Sequence, residues 1–262
     1  MKIGLAQVAP RSSPLESLAM AREMAARAAT RAVSVLAFPE MFMASPEASS
    51  DLLPLAEPLD GHFVQDLGRT AREHGVHIVA GVWESIPGKD KVYNTLVVLD
   101  PSGQLFDRYR KVHLFDALNV AESEVMAPGE AEPPVFQVEG VAIGLAICYD
   151  LRFPELFRSL ARRGAELIIV PSAWYSGPLK EDHWLTLLRA RAIENTTYVA
   201  GVDLTGPRFC ARSSVIDPFG VMTASAGESE ELLVAEISRS RVGQIRAKVP
   251  TLQHLRPSLY QK

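Results

Sequence analysis

Two cysteines in 262 residues, Cys148 and Cys210, are too few for a disulfide-stapled scaffold. A reducing, cytoplasmic setting fits that scarcity, and the count allows at most one bridge between them. No apolar run approaches the roughly 18 residues of a membrane-spanning helix. The longest runs, Val141 to Cys148 and Leu167 to Val170, are strand-sized. Met1 to Pro10 carries one lysine and a short strand-like run, without the apolar stretch of a secretion signal. A basic excess is also missing: the net charge is −4 and no Lys/Arg-rich stripe appears, so no nucleic-acid partner is expected. Gly/Ser linkers and low-complexity tracts are absent as well.

What the chain does hold is apolar material for a core, 47% of its residues against 22% charged. Short β-branched runs alternate with helical segments. Lys2 to Val8 reads as a strand, Ser13-Pro14 opens a helix, and Val33 to Phe38 is a buried strand stopped by Pro39. A helix over 61–74 precedes a strand over 77–83. Asn94 to Asp100 and Gln104 to Val112 form a hairpin around Pro101-Ser102-Gly103. A second hairpin pairs Val135 to Val138 with Val141 to Ile147. A helix over 154–163, a strand over 166–170 ending at Pro171, and an amphipathic helix over 180–194 follow. Strands at 197–203, 213–217 and 232–237 lead to a polar, proline-bearing tail from Arg239 to 262. Val35 to Glu40 and Leu167 to Ser172 echo each other, each an apolar run entering a Pro-polar pair. The expectation is one domain over 1–262, two α/β halves with their mixed sheets face to face and helices outside.

Three polar residues stand where strand-like runs end: Glu40, Lys111 and Cys148. Strand exits in α/β proteins converge on a crevice, and a carboxylate, an ammonium and a thiol there make a workable nucleophilic site. Taken singly, each has a bland reading. Cys148 could be a small buried hydrophobe, Glu40 a helix-capping carboxylate and Lys111 an exposed strand residue. His74 and His77 straddle a helix end and a strand start, and no carboxylate or cysteine completes a metal-ligand set beside them.

Three segments decide between these readings. Phe38-Pro39-Glu40, Arg110-Lys111-Val112-His113-Leu114-Phe115 and Cys148-Tyr149-Asp150-Leu151-Arg152-Phe153-Pro154-Glu155 closely resemble, in order, the signatures of the nitrilase superfamily. The likeness extends to Tyr93-Asn94, Glu122-Ser123 before Pro128-Gly129, Arg189 to Asn195 and Asp217-Pro218-Phe219-Gly220.

That resemblance implies a four-layer α-β-β-α sandwich, a homodimer, no cofactor or metal, and a Glu40–Lys111–Cys148 triad. Glu40 would take the thiol proton as Cys148 attacks a carbonyl. Lys111, held charged by its carboxylate neighbours, would stabilise the oxyanion with the Tyr149 N–H. Glu122 matches the family's second glutamate, with Glu124 as competitor. Tyr149, Phe115, Trp174 and His113 are candidates for the substrate pocket; His113, two residues from Lys111 in an extended run, should share its face. The cluster Glu155, Arg189, Arg191 and Glu194 reads as a charged network around the crevice or a subunit contact, and equally as solvated helix surface, while His183-Trp184 reads as pocket or scaffold.

True nitrilases place Trp-Glu after the cysteine, whereas Tyr149-Asp150 here resembles the amidase branches, including ω-amidases and Nit proteins. A small linear amide is the expected substrate, and an N-carbamoyl compound the competitor. The segment 206–214 lacks the Gly-His-Ser of ω-amidase relatives, and Arg208 or Arg212 is a candidate partner for a substrate carboxylate. Readings from other classes are a silent assembly module and a thiol sensor pairing Cys148 with Cys210.

Overall fold

Ser13 starts the first helix by local chemistry. Its hydroxyl accepts from the Glu16 N–H at 3.4 Å, the Glu16 carboxylate accepts from the Ser13 N–H at 3.3 Å, and Pro14 follows at the first helical position. In this computed structural model, which describes residues 1–46 and 52–259, the helices are α1 (Pro14–Ala29), α2 (Leu52–Leu55), α3 (His62–His74), α4 (Glu122–Val125), α5 (Pro154–Arg162), α6 (Lys180–Asn195) and α7 (Arg239–Lys248). The strands are β1 (Lys2–Gln7), β2 (Val35–Ala37), β3 (His77–Ser85), β4 (Val92–Leu99), β5 (Leu105–Arg110), β6 (Asp116–Ala117), β7 (Val120–Ala121), β8 (Val135–Val138), β9 (Val141–Leu145), β10 (Leu167–Ser172), β11 (Tyr198–Asp203), β12 (Ser214–Ile216), β13 (Met222–Ser225) and β14 (Glu231–Glu236).

Two six-stranded mixed sheets result, ordered β14-β1-β2-β3-β4-β5 and β8-β9-β10-β11-β12-β13. The echo between the two apolar Pro-polar segments is topological. In each sheet three parallel strands (β1-β2-β3 and β9-β10-β11) are flanked on both sides by antiparallel neighbours. Helices α1 and α3 fill the crossovers of the first sheet as α5 and α6 fill those of the second. The helices cover the outer faces, so the four-layer α-β-β-α sandwich expected from the sequence is the architecture observed.

Period-two alternation assigns the faces. Ile3, Leu5, Val35 and Val79 point inward against Ile143, Leu145 and Ile169 of the second sheet. Leu36, Ile78 and Val97 point outward onto Leu18, Met24, Phe63 and Leu67 of α1 and α3. No described helix is long and apolar enough to cross a membrane.

Two expectations are corrected. The strand expected to stop at Pro171 runs to Ser172, paired with β11, because Pro171 lies beyond the last residue paired with β9. The polar tail begins with a packed helix. Ser238 caps α7, Val242 and Ile245 are buried, and Arg246 donates to the Ala165 carbonyl at 2.7 Å. A helix with only two inward apolar residues leaves almost no periodic signal. Residues 260–262 of the expected tail lie outside the described residues.

Candidate active site

The carboxyl ends of the parallel strands from both sheets meet at one end of the sandwich. Beyond β2 the chain reaches Glu40, which is buried and has its carboxylate held by three donors. Oε1 accepts from Asn94 Nδ2 at 2.7 Å and from Lys111 Nζ at 2.8 Å, while Oε2 accepts from the Ala173 backbone N–H, beyond β10, at 2.9 Å. Gly81 on β3 makes room for this approach, because a Cβ there would lie 2.9 Å from the Pro39 carbonyl oxygen.

Lys111 follows β5 and is held at both backbone ends. Its N–H donates to the Asn94 carbonyl at 2.9 Å, and its own carbonyl accepts from the Gly129 N–H at 2.8 Å. Only glycine fits at position 129, where a side chain would strike the Arg110 carbonyl. The Lys111 ammonium bridges Glu40 and Glu122, with Glu122 Oε2 at 2.8 Å. Glu122 Oε2 also accepts from the Phe115 N–H at 2.8 Å. Glu122 therefore meets the lysine, while Glu124 is exposed and faces a wider outer cleft.

Cys148 sits at the start of a 3-10 turn, Cys148–Arg152, with φ of 41°. A left-handed backbone at a non-glycine residue is strained and persists only where its surroundings enforce it. Asp150 does so here. Its fully buried carboxylate accepts from Tyr109 Oη at 2.8 Å and the Ile147 N–H at 2.9 Å, and lies 2.7 Å from His113 Nδ1. Arg191, buried on α6, donates to the Leu151 carbonyl at 2.9 Å and pairs with Glu194.

Burial opposes the Lys111 charge, but the two carboxylates outweigh it and hold the ammonium well above its usual range. Burial, then the negative field of Glu40, push the Cys148 thiol well above the ordinary cysteine range. Burial also raises Glu122, against the pull of Lys111. The resting site thus sets a neutral thiol in one cavity with Glu40, beside a charged ammonium. That combination can pass a proton to a carboxylate while an ammonium faces developing negative charge.

A family model for carbon-nitrogen hydrolases matches residues 2–247. The chain belongs to that family. This hydrolase is 40% identical to a deaminated glutathione amidase from Escherichia coli O157:H7, over 88% of each chain. It is 33% identical to omega-amidase NIT2 of Mus musculus, over 99% of this chain and 96% of that protein. An amidase variant from Nesterenkonia sp. AN1, solved with the acetamide moiety of fluoroacetamide covalently added at its active-site cysteine, superposes with a TM-score of 0.86 at 28% identity, covering 100% of this chain and 95% of that one.

In the hydrolase, Cys148, Glu40 and Glu122 line a small cavity walled by Tyr149, Phe115 and Trp174. His113 is not in it. The strand ends at Arg110 and the chain bends, so alternation does not carry across; His113 instead stacks on Phe153 at 3.6 Å and braces Asp150. Arg212 pairs with Glu181 at 2.8 Å, and Arg208 borders the outer cleft, so neither lines the cavity. Both cysteines are free; Cys210 lines a separate depression, and burial pushes its thiol up to about 11. Of the charged cluster, Glu155 and His183 lie outside the cavity wall, and Trp184 is core. The cavity residues that sequence reasoning missed are Met41, Arg152, Ala173, Tyr175 and Lys180. Arg152 lies inside a quoted signature, whereas Lys180 reads as an ordinary helix start.

Proposed function

We propose that this protein hydrolyses a small linear amide to a carboxylic acid and ammonia through a thioester on Cys148. The observation carrying the proposal is that Cys148 and Glu40 line one cavity, with Lys111 Nζ donating to Glu40 Oε1 at 2.8 Å. As the Cys148 sulfur bonds to the amide carbon, its proton passes to Glu40. The oxygen then carries the negative charge, facing Lys111 and the Tyr149 N–H. Collapse breaks the C–N bond, and Glu40 returns the proton to the leaving nitrogen. Water then attacks the thioester, Glu40 takes its proton, and the sulfur departs and regains a proton. Glu122 keeps Lys111 charged and in place throughout.

No residue in the cavity is called on for metal or redox chemistry. The reading takes the chain as one domain, since the site draws on both sheets. It places the protein in a reducing compartment such as the cytoplasm, where a free thiol persists. It makes the protein a homodimer, joined through the outer face of α6.

Ammonia release from α-ketoglutaramate, succinamate, simple aliphatic amides, deaminated glutathione and N-carbamoyl amino acids tests the reaction. Intact-mass detection of an acyl adduct on Cys148 tests the intermediate. Turnover of an amide with an adduct supports the reading, and turnover confined to N-carbamoyl compounds replaces it. Stoichiometric iodoacetamide labelling with no turnover of any substrate would leave a non-catalytic thiol protein.

A further inference from the structure

Lys180, the first residue of α6, is only 9% exposed, yet its ammonium has no carboxylate partner among the described residues. Its backbone is anchored: the N–H donates to the Gly177 carbonyl at 3.1 Å, and its carbonyl accepts from Trp174 Nε1 at 2.8 Å. The side chain enters the Cys148 cavity, with Nζ 4.7 Å from the Trp174 ring centroid and 5.6 Å from that of Phe115. Aromatic faces offset part of the cost of drying an ammonium, but not all of it. Arg152 lines the same cavity, its guanidinium 5.0 Å from the Trp174 ring, and its hydrogen-bond partner is the ring nitrogen of His183 rather than an acid. Burial and the repulsion of Arg152 both pull Lys180 below the usual lysine range. The cavity is thus acidic and nucleophilic on one side, at Glu40, Glu122 and Cys148, and cationic without an ion-pair partner among the described residues on the other. An anion entering it relieves exactly the burden Lys180 carries, whereas Arg212 already has Glu181.

We propose that Lys180 is the specificity-determining cation of this enzyme, pairing with a carboxylate at the far end of the substrate's acyl chain. The proposal rests on the amidase reading above.

The test compares succinamate with butyramide, amides of the same four-carbon length with and without the carboxylate oxygens, in wild type, Lys180→Met and Lys180→Arg. Lys180→Met keeps the apolar stem and removes the charge. The ratio of kcat/KM for succinamate over butyramide is expected to fall by at least about tenfold, the usual scale for a charged hydrogen-bond partner. The loss should reside in KM, and Lys180→Arg should restore part of it. A ratio unchanged within threefold, or an equal loss on both amides, overturns the proposal. If wild type turns over neither amide, the amidase reading is what fails. Calorimetric binding of succinate to wild type and Lys180→Met then decides the lysine's role: binding that weakens in the variant supports it, and equal or absent binding removes it.

Discussion

Gly81 lies directly beneath Glu40, so close that a Cβ there would stand 3.0 Å from the Glu40 Cα and 2.8 Å from the Met41 nitrogen. Backbone atoms on a neighbouring strand exit cannot yield as a flexible side chain would. Gly81→Ala should therefore push Glu40 off its three partners by a few tenths of an ångström. A base displaced on that scale is expected to cost about tenfold or more in kcat, with little change in KM. Steady-state kinetics on the best amide of the panel checks this; a variant with wild-type kcat shows that the close approach does not position the base.

Cys148→Ala should abolish turnover while the protein stays folded, and more than a few per cent residual activity removes Cys148 as nucleophile. The same variant reports on pH. The folded-state pKa of the thiol is raised by burial and by Glu40, so the unfolded chain releases this proton first as pH climbs past about 8.5. Fewer protons on the unfolded state means that stability falls with rising pH, by up to about 1.4 kcal/mol per pH unit, until the folded thiol itself ionises. Below the unfolded value the contribution is complete. Urea unfolding of wild type should thus lose about 1 kcal/mol more than Cys148→Ala between pH 8.5 and 9.5. Cys210 remains in both proteins and cancels. Parallel losses would mean that the thiol is not held protonated.

Lys111→Met should reduce kcat at least about 10²-fold, the scale of a lost oxyanion donor. It also strands two buried carboxylates against each other, at a cost of about 3 kcal/mol or more. Adding Glu122→Gln to Lys111→Met should recover part of that stability without recovering activity. Thermal melts and kinetics on the same samples separate the two effects. Recovery of activity in the double variant would show the lysine acting only as a counter-charge.

Much of this arrangement is legible in the chain because its causes are local or periodic. Buried strands announce themselves as apolar runs, Ser13-Pro14 carries its own cap, and Glu40, Lys111 and Cys148 each stand at the end of such a run. The grip on Glu40 is different in kind: Asn94 comes from 54 residues away and the Ala173 N–H from 133. A backbone donor has no side chain to be read, and a buried asparagine on a strand names no partner. His113 misleads because its alternation is counted past the strand's end at Arg110. Lys180 is hidden because lysine at a helix start ordinarily points to water.

Asp150 shows what the quoted signature does beyond supplying a nucleophile. Its buried carboxylate gathers Tyr109, Ile147 and His113 and so fixes the turn in which Cys148 keeps a φ of 41°. Asp150→Ala leaves buried donors unsatisfied and is expected to cost about 3 kcal/mol or more. His113→Ala removes one partly exposed hydrogen bond to Asp150 and the stack on Phe153, and should cost about 1 kcal/mol. Both should slow iodoacetamide labelling of Cys148 in protein that is still folded, Asp150→Ala the more. Wild-type labelling in folded Asp150→Ala protein would assign the network to stability alone.

The outer face of α6 leads to the last prediction. Ile193 is 49% exposed, and Phe219 and Val221 are 56% and 52% exposed beside it. Gly220 lies so close to Ile193 that a Cβ there would stand 2.7 Å from Cδ1, which joins the two segments into one apolar surface. Contiguous exposed apolar residues are uncommon on monomers, and a two-fold axis buries the same patch on both copies. Wild type should therefore scatter light as a dimer at micromolar concentration. Charging the patch with Ile193→Glu and Phe219→Glu together should give a folded monomer, because a two-fold axis brings each new carboxylate toward its own copy. A dimer that survives both charges would place the interface elsewhere, and a wild-type monomer would leave this face open to solvent.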